Sequence, residues 1–506
     1  MLFARLKLLP FFLLLTVLAS AAMMVPAGYA LVQQSFHEAR SFFYTGLVGL
    51  IVSGLVATAM SGRPTNKSAL RQLAALLAGF VLIPALLAVP FFEAVRTTTF
   101  LNAYFEMVSS LTTTGASLFE PERLTRTQHL WRAEVGWLGG LLMWIAAAAI
   151  LAPLTLGGFE VTAGGEPGQI SAAGAARQDM ADPSKRLSRS AHYLVPIYAG
   201  LTLVLWLSLM VAGDRPLVAL IHAMSVMATS GISSIGGLEN ASSGIAGEMI
   251  LFVFLSFALS RLTFSSDTIN RAQPGLRHDP EFRLGLIVVI GVPLLLFLRH
   301  WIAAFDIDQE ENLSAALRAY WGATFTVLSF LTTTGFESAE WNEAQNWSGL
   351  QTPGVILLGL SLIGGGVATT AGGVKLLRVF VLYLNGMREI EKLVHPSSVG
   401  RASAFTRRVR RSGAFIAWIF FMLFALSFTL VTMALTAVHV SFENAMVLAI
   451  AALSTTGPLI TSAAEAPVDL VRLGPEAKII LCGAMILGRF ETLAIIAMIT
   501  PDLWRD

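Results

Sequence analysis

Four short segments of this chain share a composition suited to holding a bare cation: Leu111-Thr112-Thr113-Thr114-Gly115, Met227-Ala228-Thr229-Ser230-Gly231, Leu331-Thr332-Thr333-Thr334-Gly335 and Leu453-Ser454-Thr455-Thr456-Gly457. Taking the water off a monovalent cation requires a ring of oxygen dipoles. Backbone carbonyls and threonine hydroxyls supply one without a fixed negative charge that would bind too tightly for release. Glycine permits the backbone angles that turn successive carbonyls to one axis, and a short helix ending at each segment points its negative pole at the ion. A lone Ser/Thr-x-Gly is ordinary turn sequence. Four copies with their glycines roughly 100 to 120 residues apart predict four equivalent units around one pore.

Two further features bear on that pore. Gly364, Gly365, Gly366, Gly372 and Gly373 fall within one apolar run that also holds Thr369, Thr370 and, at its end, Lys375. Each glycine costs a helix about 1 kcal/mol relative to alanine. A continuous helix is therefore not expected here. Unwound backbone at membrane depth is tolerated where it lines a wet cavity or is buried in protein, which places Gly364–Lys375 below the third segment, in the path; Gly-mediated helix packing is the alternative. Lys375 and Arg378 share a helix face and are expected to mark the basic end of the break. Arg261 and Arg489 lie within apolar spans. Arg261 can snorkel from the end of its helix, whereas Arg489 lies too deep for that and reads either as a barrier facing the pore or as half of an inter-helix ion pair.

The elements that must position these residues are membrane spans. With 55% hydrophobic and 13% charged residues in 506, the chain is too apolar for a soluble enzyme or a transcription factor, and a net charge of +2 gives no footprint for nucleic acid. Its one cysteine, Cys482, supports no disulfide framework. Apolar stretches long enough to cross a bilayer occur at about 9–32, 41–60, 70–94, 134–156, 192–212, 246–265, 283–304, 353–384, 413–438 and 475–500. Tyr104–Leu111 and Ala316–Leu331 are too short to span and read as re-entrant. The first stretch follows Arg5 and Lys7 and outruns a signal-peptide core, so an uncleaved helix is expected.

Basic clusters fall on alternate loops: Arg63, Lys67 and Arg71; Lys185, Arg186 and Arg189; Arg271, Arg277 and Arg283; and seven bases in Arg388–Arg411. That pattern puts those loops and both termini in the cytoplasm, with each re-entrant segment entering from outside. The Arg388–Arg411 arm suits an anionic lipid surface or a docking partner. Gly157–Lys185 reads as a flexible linker. Acids line the other side, including Glu120, Glu122, Glu239, Asp306, Asp308, Glu310 and Glu311; Glu337, Glu340 and Glu343 follow the third segment and are expected to gather cations at the mouth.

The expected fold class is an all-α integral membrane protein: four tandem helix/re-entrant loop/helix repeats around one pore, preceded by two extra N-terminal transmembrane helices. The expected bounds are 1–66 for the extra helices, 67–160 for repeat 1, 161–190 for a linker, 191–275 for repeat 2, 276–395 for repeat 3 and 396–506 for repeat 4. A proton-coupled carrier would bury a chain of Asp, Glu or His in its spans, where Glu491 is the main candidate. An intramembrane enzyme would need paired carboxylates, a histidine cluster or an activated nucleophile, and the eight histidines, His222, His300 and His439 among them, are scattered.

The four segments, the run Ala371-Gly372-Gly373-Val374-Lys375 and Leu487-Gly488-Arg489-Phe490-Glu491 together resemble the Trk/Ktr/HKT superfamily of potassium transporters, most closely its bacterial Trk-type membrane subunits, over nearly the whole chain. The resemblance implies K+ as the transported ion, no bound organic cofactor, and potassium uptake across the bacterial cytoplasmic membrane, with a proton- or sodium-coupled cation symporter as the alternative. It also implies a homodimer and a cytosolic nucleotide-binding regulatory subunit. By the same resemblance Gly115, Gly231, Gly335 and Gly457 are filter glycines, Gly364–Lys375 is a gate and Arg489 faces the cavity. The sequence departs from the family pattern at Ile232, where an aromatic residue is frequent, and at Ala368-Thr369, where Gly-Ser is usual.

Overall fold

In the computed structural model the described residues are 10–60, 69–154, 156, 158–159, 183–260, 279–303, 313–349, 352–395, 411–464, 468–491 and 494–495. Arg261, the acids 306–311 and most of the 157–185 and 388–411 segments, all named above, lie outside them. The described elements are helical, and seven are long and apolar enough to cross a membrane. The protein is thus an all-α, multi-span membrane protein.

The first span is a broken rod, α1 (Phe11–Ala22) and α2 (Met24–Val32). Pro26 has no N–H to offer the Ala22 carbonyl, so the helix breaks one turn before it. Helix α3 (Phe36–Ala59) packs back on both, and α4 (Ala69–Val95) continues through Pro84 and Pro90. A short α5 (Phe100–Leu111) leads into the first Thr-rich segment and is N-capped by Thr99, whose Oγ1 accepts from Asn102 N–H. Helix α6 (Arg126–Ala146) begins eight residues before the expected span because Thr125 and Gln128 form a reciprocal capping box. It ends in a π turn at Ala147–Leu151.

The same plan recurs three times. Helix α7 (Pro183–Val211), short α8 (Pro216–Ala228) and α9 (Gly244–Ser256) form the second unit. The third comprises α10 (Pro280–Ala303), α11 (Leu313–Leu331), an unanticipated α12 (Trp341–Ser348), α13 (Gly354–Ile363) and α14 (Leu376–Val394). Helix α11, with 19 residues, starts upstream of the expected re-entrant piece. The fourth unit holds α15 (Arg411–Ala437), short α16 (Phe442–Leu453), the single turn α17 (Leu459–Ser462) and α18 (Pro475–Phe490). Helix α18 ends at Phe490, where Glu491 adopts φ +63°, and the end of the expected span, beyond residue 495, lies outside the described residues.

Apolar side chains of all four units meet in one continuous core that includes Phe105, Trp131, Tyr198, Phe325, Phe330 and Phe490. Leucine, valine and phenylalanine stay exposed along α3, α7, α10 and α15, as helices bathed in lipid require.

Candidate ion pathway

Each Thr-rich segment follows a short helix and repeats one backbone conformation. Thr113, Thr229, Thr333 and Thr455 take φ of +58°, +51°, +57° and +55°. A β-branched residue in the left-handed region is a genuine outlier costing about 1–2 kcal/mol. Four at equivalent positions mark a built feature. Behind the bend Thr114 and Gly115 both donate to Ser109 O, Thr334 and Gly335 to Ser329 O, Ser230 to Ser225 O and Thr456 to Ala451 O. Thr112 and Thr114 hydroxyls meet at 2.8 Å, Thr332 and Thr334 at 3.2 Å, and Ser454 and Thr456 at 3.1 Å. Repeat 2 has Ala228 in place of the first hydroxyl, and Ser230 reaches Ser225 Oγ instead, at 3.2 Å.

The four segments close into a ring in chain order. A Cβ on Gly115 would overlap the Ser230 carbonyl oxygen, and one on Gly231 would overlap that of Thr334. Gly335 lies against Pro458, and Gly457 N–H donates to Thr114 O at 2.5 Å. The glycines are thus required by close backbone approach as well as by φ, which is +75°, +65° and +82° at the first three. Gly457 is not in that region, and Pro458 follows it. All four glycines line one vestibule of about 850 Å³, together with Glu120, Glu239, Glu337, Asp469, Arg123 and Arg132. Glu340 and Glu343 do not line it, contrary to the expectation from their proximity in sequence. Burial pushes the Glu337 carboxyl above the usual carboxylate range; a hydrogen bond from Ser462 opposes the shift and nearby Glu239 adds to it.

The opposite side of the ring is filled. Between α13 and α14 the chain leaves helical geometry at Gly364 (φ +74°) and rejoins it where Val374 N–H and Lys375 N–H donate to Leu362 O and Ile363 O, so the carbonyls at the end of α13 are satisfied across the base of the loop. The tip presses on the Thr-rich segments. Gly372 N–H donates to Thr333 Oγ1 at 2.7 Å, and Thr370 Oγ1 donates to Met227 O at 3.3 Å. Gly366 N–H reaches Ala258 O at 3.0 Å, and Thr369 Oγ1 closes the loop on Gly366 O. A Cβ on Gly365 would meet Ala371 Cβ. The cavities lined by this loop hold only about 30 Å³ each, room for a water or two against the open vestibule above. The hydroxyls of Thr113 and Thr455 are buried with no partner among the described residues, which leaves them free to serve a dehydrated ion.

Arg489 lines the small cavity under the loop and forms no ion pair among the described residues. Its Nη1 donates to Thr370 O at 2.6 Å, so the guanidinium holds the loop by a carbonyl, while Nε and Nη2 lack partners among the described residues. The carboxylate of Glu491 pairs with Arg378 at 2.6 Å, and the Arg378 guanidinium stacks 3.6 Å over Phe420. Arg378 and Lys375 are both buried, and Lys375 Nζ donates to Ala371 O. They clamp the base of the loop from inside the protein. The two departures are accommodated: Ile232 packs with Ala133 and Ile221 against α6, and Ala368 adopts φ +57°.

Sequence reasoning missed the polar scaffold that holds the chain just beyond the first three glycines, a role that Leu448 in the fourth repeat does not take. Nine residues before Gly115, Gly231, Gly335 and Gly457 stand Glu106, His222, Thr326 and Leu448. Glu106 Oε2 accepts from Leu118 N–H at 3.0 Å while Arg132 pairs with its other oxygen at 2.5 Å. Thr326 Oγ1 accepts from Ser338 N–H at 3.2 Å, and His222 Nε2 lies 3.0 Å from Ser233 Oγ. Glu248 of α9 adds a staple, accepting from Ser338 Oγ, Ala339 N–H and Trp321 Nε1 at 2.6–2.8 Å. Laying the repeats on one another at the glycines is the signal that finds this position.

The family described as TrkH, cation transport protein, matches residues 85–503. The Trk system potassium uptake protein TrkH of Halomonas elongata is 31% identical over 412 residues, covering 80% of this chain and 79% of that one. Its namesake from Escherichia coli K12 is 28% identical over 499 residues, 97% and 98% of the two chains. The crystal structure of the potassium transporter TrkH from Vibrio parahaemolyticus matches with a TM-score of 0.78 at 26% identity, covering 100% of each chain. With a ring of four equivalent Thr-Gly segments and a family match over most of its length, this chain belongs to the TrkH family of cation transport proteins.

Proposed function

We propose that this chain is the membrane subunit of a potassium uptake system of the bacterial cytoplasmic membrane, conducting K+ through a selective, channel-like pore. The carrying observation is the closed ring of four left-handed threonines and four close-packed glycines beneath one vestibule. On this reading residues 112–115, 228–231, 332–335 and 454–457 form the filter, and the repeats take the bounds given above. Carbonyl and hydroxyl oxygens exchange for the hydration shell of the ion. Gly364–Lys375 is the gate in its closed position, latched by Arg489 on Thr370 O, and a cytosolic nucleotide-binding subunit acting on a homodimer releases it. The names of the relatives, potassium uptake proteins of a multi-component system, support the ion and the existence of partners. On this reading the chain transports and performs no covalent chemistry. Expression in a host lacking its own potassium uptake tests the proposal: growth at low potassium is the expected result, and growth that also needs an imposed proton or sodium gradient would favour symport.

A further inference from the structure

On the vestibule side, away from the pore, a groove of about 680 Å³ opens between α2, α7 and the first turns of α6 and α8. Its floor is apolar, formed by Leu124, Leu130, Leu217, Val218 and Leu220. At its edges stand Arg126 and Arg215, both exposed, and neither has a hydrogen bond or ion pair among the described residues. Arg126 is the first residue of α6, and Arg215 directly precedes α8, whose N-terminus has no side-chain cap. Two guanidinium groups and the uncapped N-terminus of α8 therefore border one apolar trough, an arrangement that attracts a phosphate carrying a hydrocarbon tail.

Trp206, its Nε1 donating to Pro216 O at 2.9 Å, and Tyr29 supply the amphipathic rings that settle at a membrane interface.

We propose that this groove binds an anionic phospholipid drawn from the leaflet on the vestibule side. Arg126 and Arg215 take the phosphodiester, and an acyl chain lies along Leu130, Leu217 and Leu220. The site is distinct from the filter and does not rest on the gating reading.

The test is lipid retention by the full-length protein, purified in mild detergent and exposed to equimolar phosphatidylglycerol and phosphatidylcholine of the same chains, read by native mass spectrometry. Wild type should retain phosphatidylglycerol at least tenfold over phosphatidylcholine, about 1.4 kcal/mol. The R126Q/R215Q variant should lose the charge preference while its unfolding temperature in lipid-free detergent stays that of wild type, because both side chains are exposed. Three results would overturn the proposal: no preference in wild type, displacement of the lipid by millimolar inorganic phosphate, or a change of oligomeric mass in the double variant, which would assign the groove to a second copy of the chain.

Discussion

Replacing Gly372 with alanine should open the path without touching selectivity. Gly372 is not among the positive-φ glycines, unlike Gly364 and Gly373, so its backbone angles suit alanine and the effect is steric. The added Cβ would overlap Ser454 O and Thr455 Oγ1 and come within 2.9 Å of the Ser454 carbonyl carbon. Both neighbours belong to the fourth Thr-rich segment. The loop, held at its tip by single hydrogen bonds such as Gly372 N–H to Thr333 Oγ1, is the part that yields. Overpacking costs about 1–3 kcal/mol, and the lost hydrogen bond about 0.5–1.5 kcal/mol. Both fall on the closed state alone. A closed state destabilised by about 2 kcal/mol raises the open-to-closed ratio about 30-fold. Potassium flux into liposomes holding purified G372A, with no regulatory subunit present, should rise accordingly, with the wild-type preference for K+ over Na+ retained. A folded variant with flux at or below wild type would refute the placement of the gate.

The opposite change is expected from Ala368→Gly, since alanine at φ +57° stores about 1–2 kcal/mol: relief of that strain stabilises the closed loop, and basal flux in the same liposomes should fall several-fold. Glu337→Gln should slow uptake at low potassium and low salt, with the difference vanishing at high salt, whereas Gln at Glu340 or Glu343 should change nothing because neither lines the vestibule. Because the Glu337 carboxyl titrates above the usual range, its charge is lost on acidification before that of an ordinary glutamate, so wild-type uptake should decline as pH falls through that raised value and E337Q should not show the step. Glu106→Ala strands a buried Arg132 and should cost about 3–5 kcal/mol, visible as a lower unfolding temperature and folded yield, against about 1 kcal/mol for Thr326→Val at the equivalent position.

The parts of the pathway written in repeated local sequence were legible without a structure. Four Thr-Gly segments at regular spacing, and five glycines in one apolar run, state their backbone needs directly, and the ring and the interruption lie where those residues put them. Contacts between distant segments were not legible. Arg489 looks isolated in sequence because its partner is a carbonyl 119 residues away, and Glu491 looks like its neighbour yet pairs with Arg378. Helix spacing says which face Lys375 and Arg378 share, and not that the rest of the protein covers it. Glu337, Glu340 and Glu343 form one acidic run in sequence, but α12 carries the last away from the cavity that the first one lines. The start of α6 is the instructive miss: Thr125-x-x-Gln128 is a capping signal that hydropathy ignores, since Arg132 and Glu134 depress the apolar average while lying buried.

The central claim is that four glycine-bearing segments make one potassium-selective ring. The measurement that tests it most directly is the reversal potential of the purified, reconstituted protein with potassium on one side and sodium on the other, for wild type and for Gly335→Ser. Wild type is predicted to reverse near the potassium limit. The variant, whose added side chain has to fit against Pro458 at φ +82°, is predicted to move toward zero or to conduct nothing. Identical reversal potentials in wild type and a folded, conducting Gly335→Ser variant would contradict the ring.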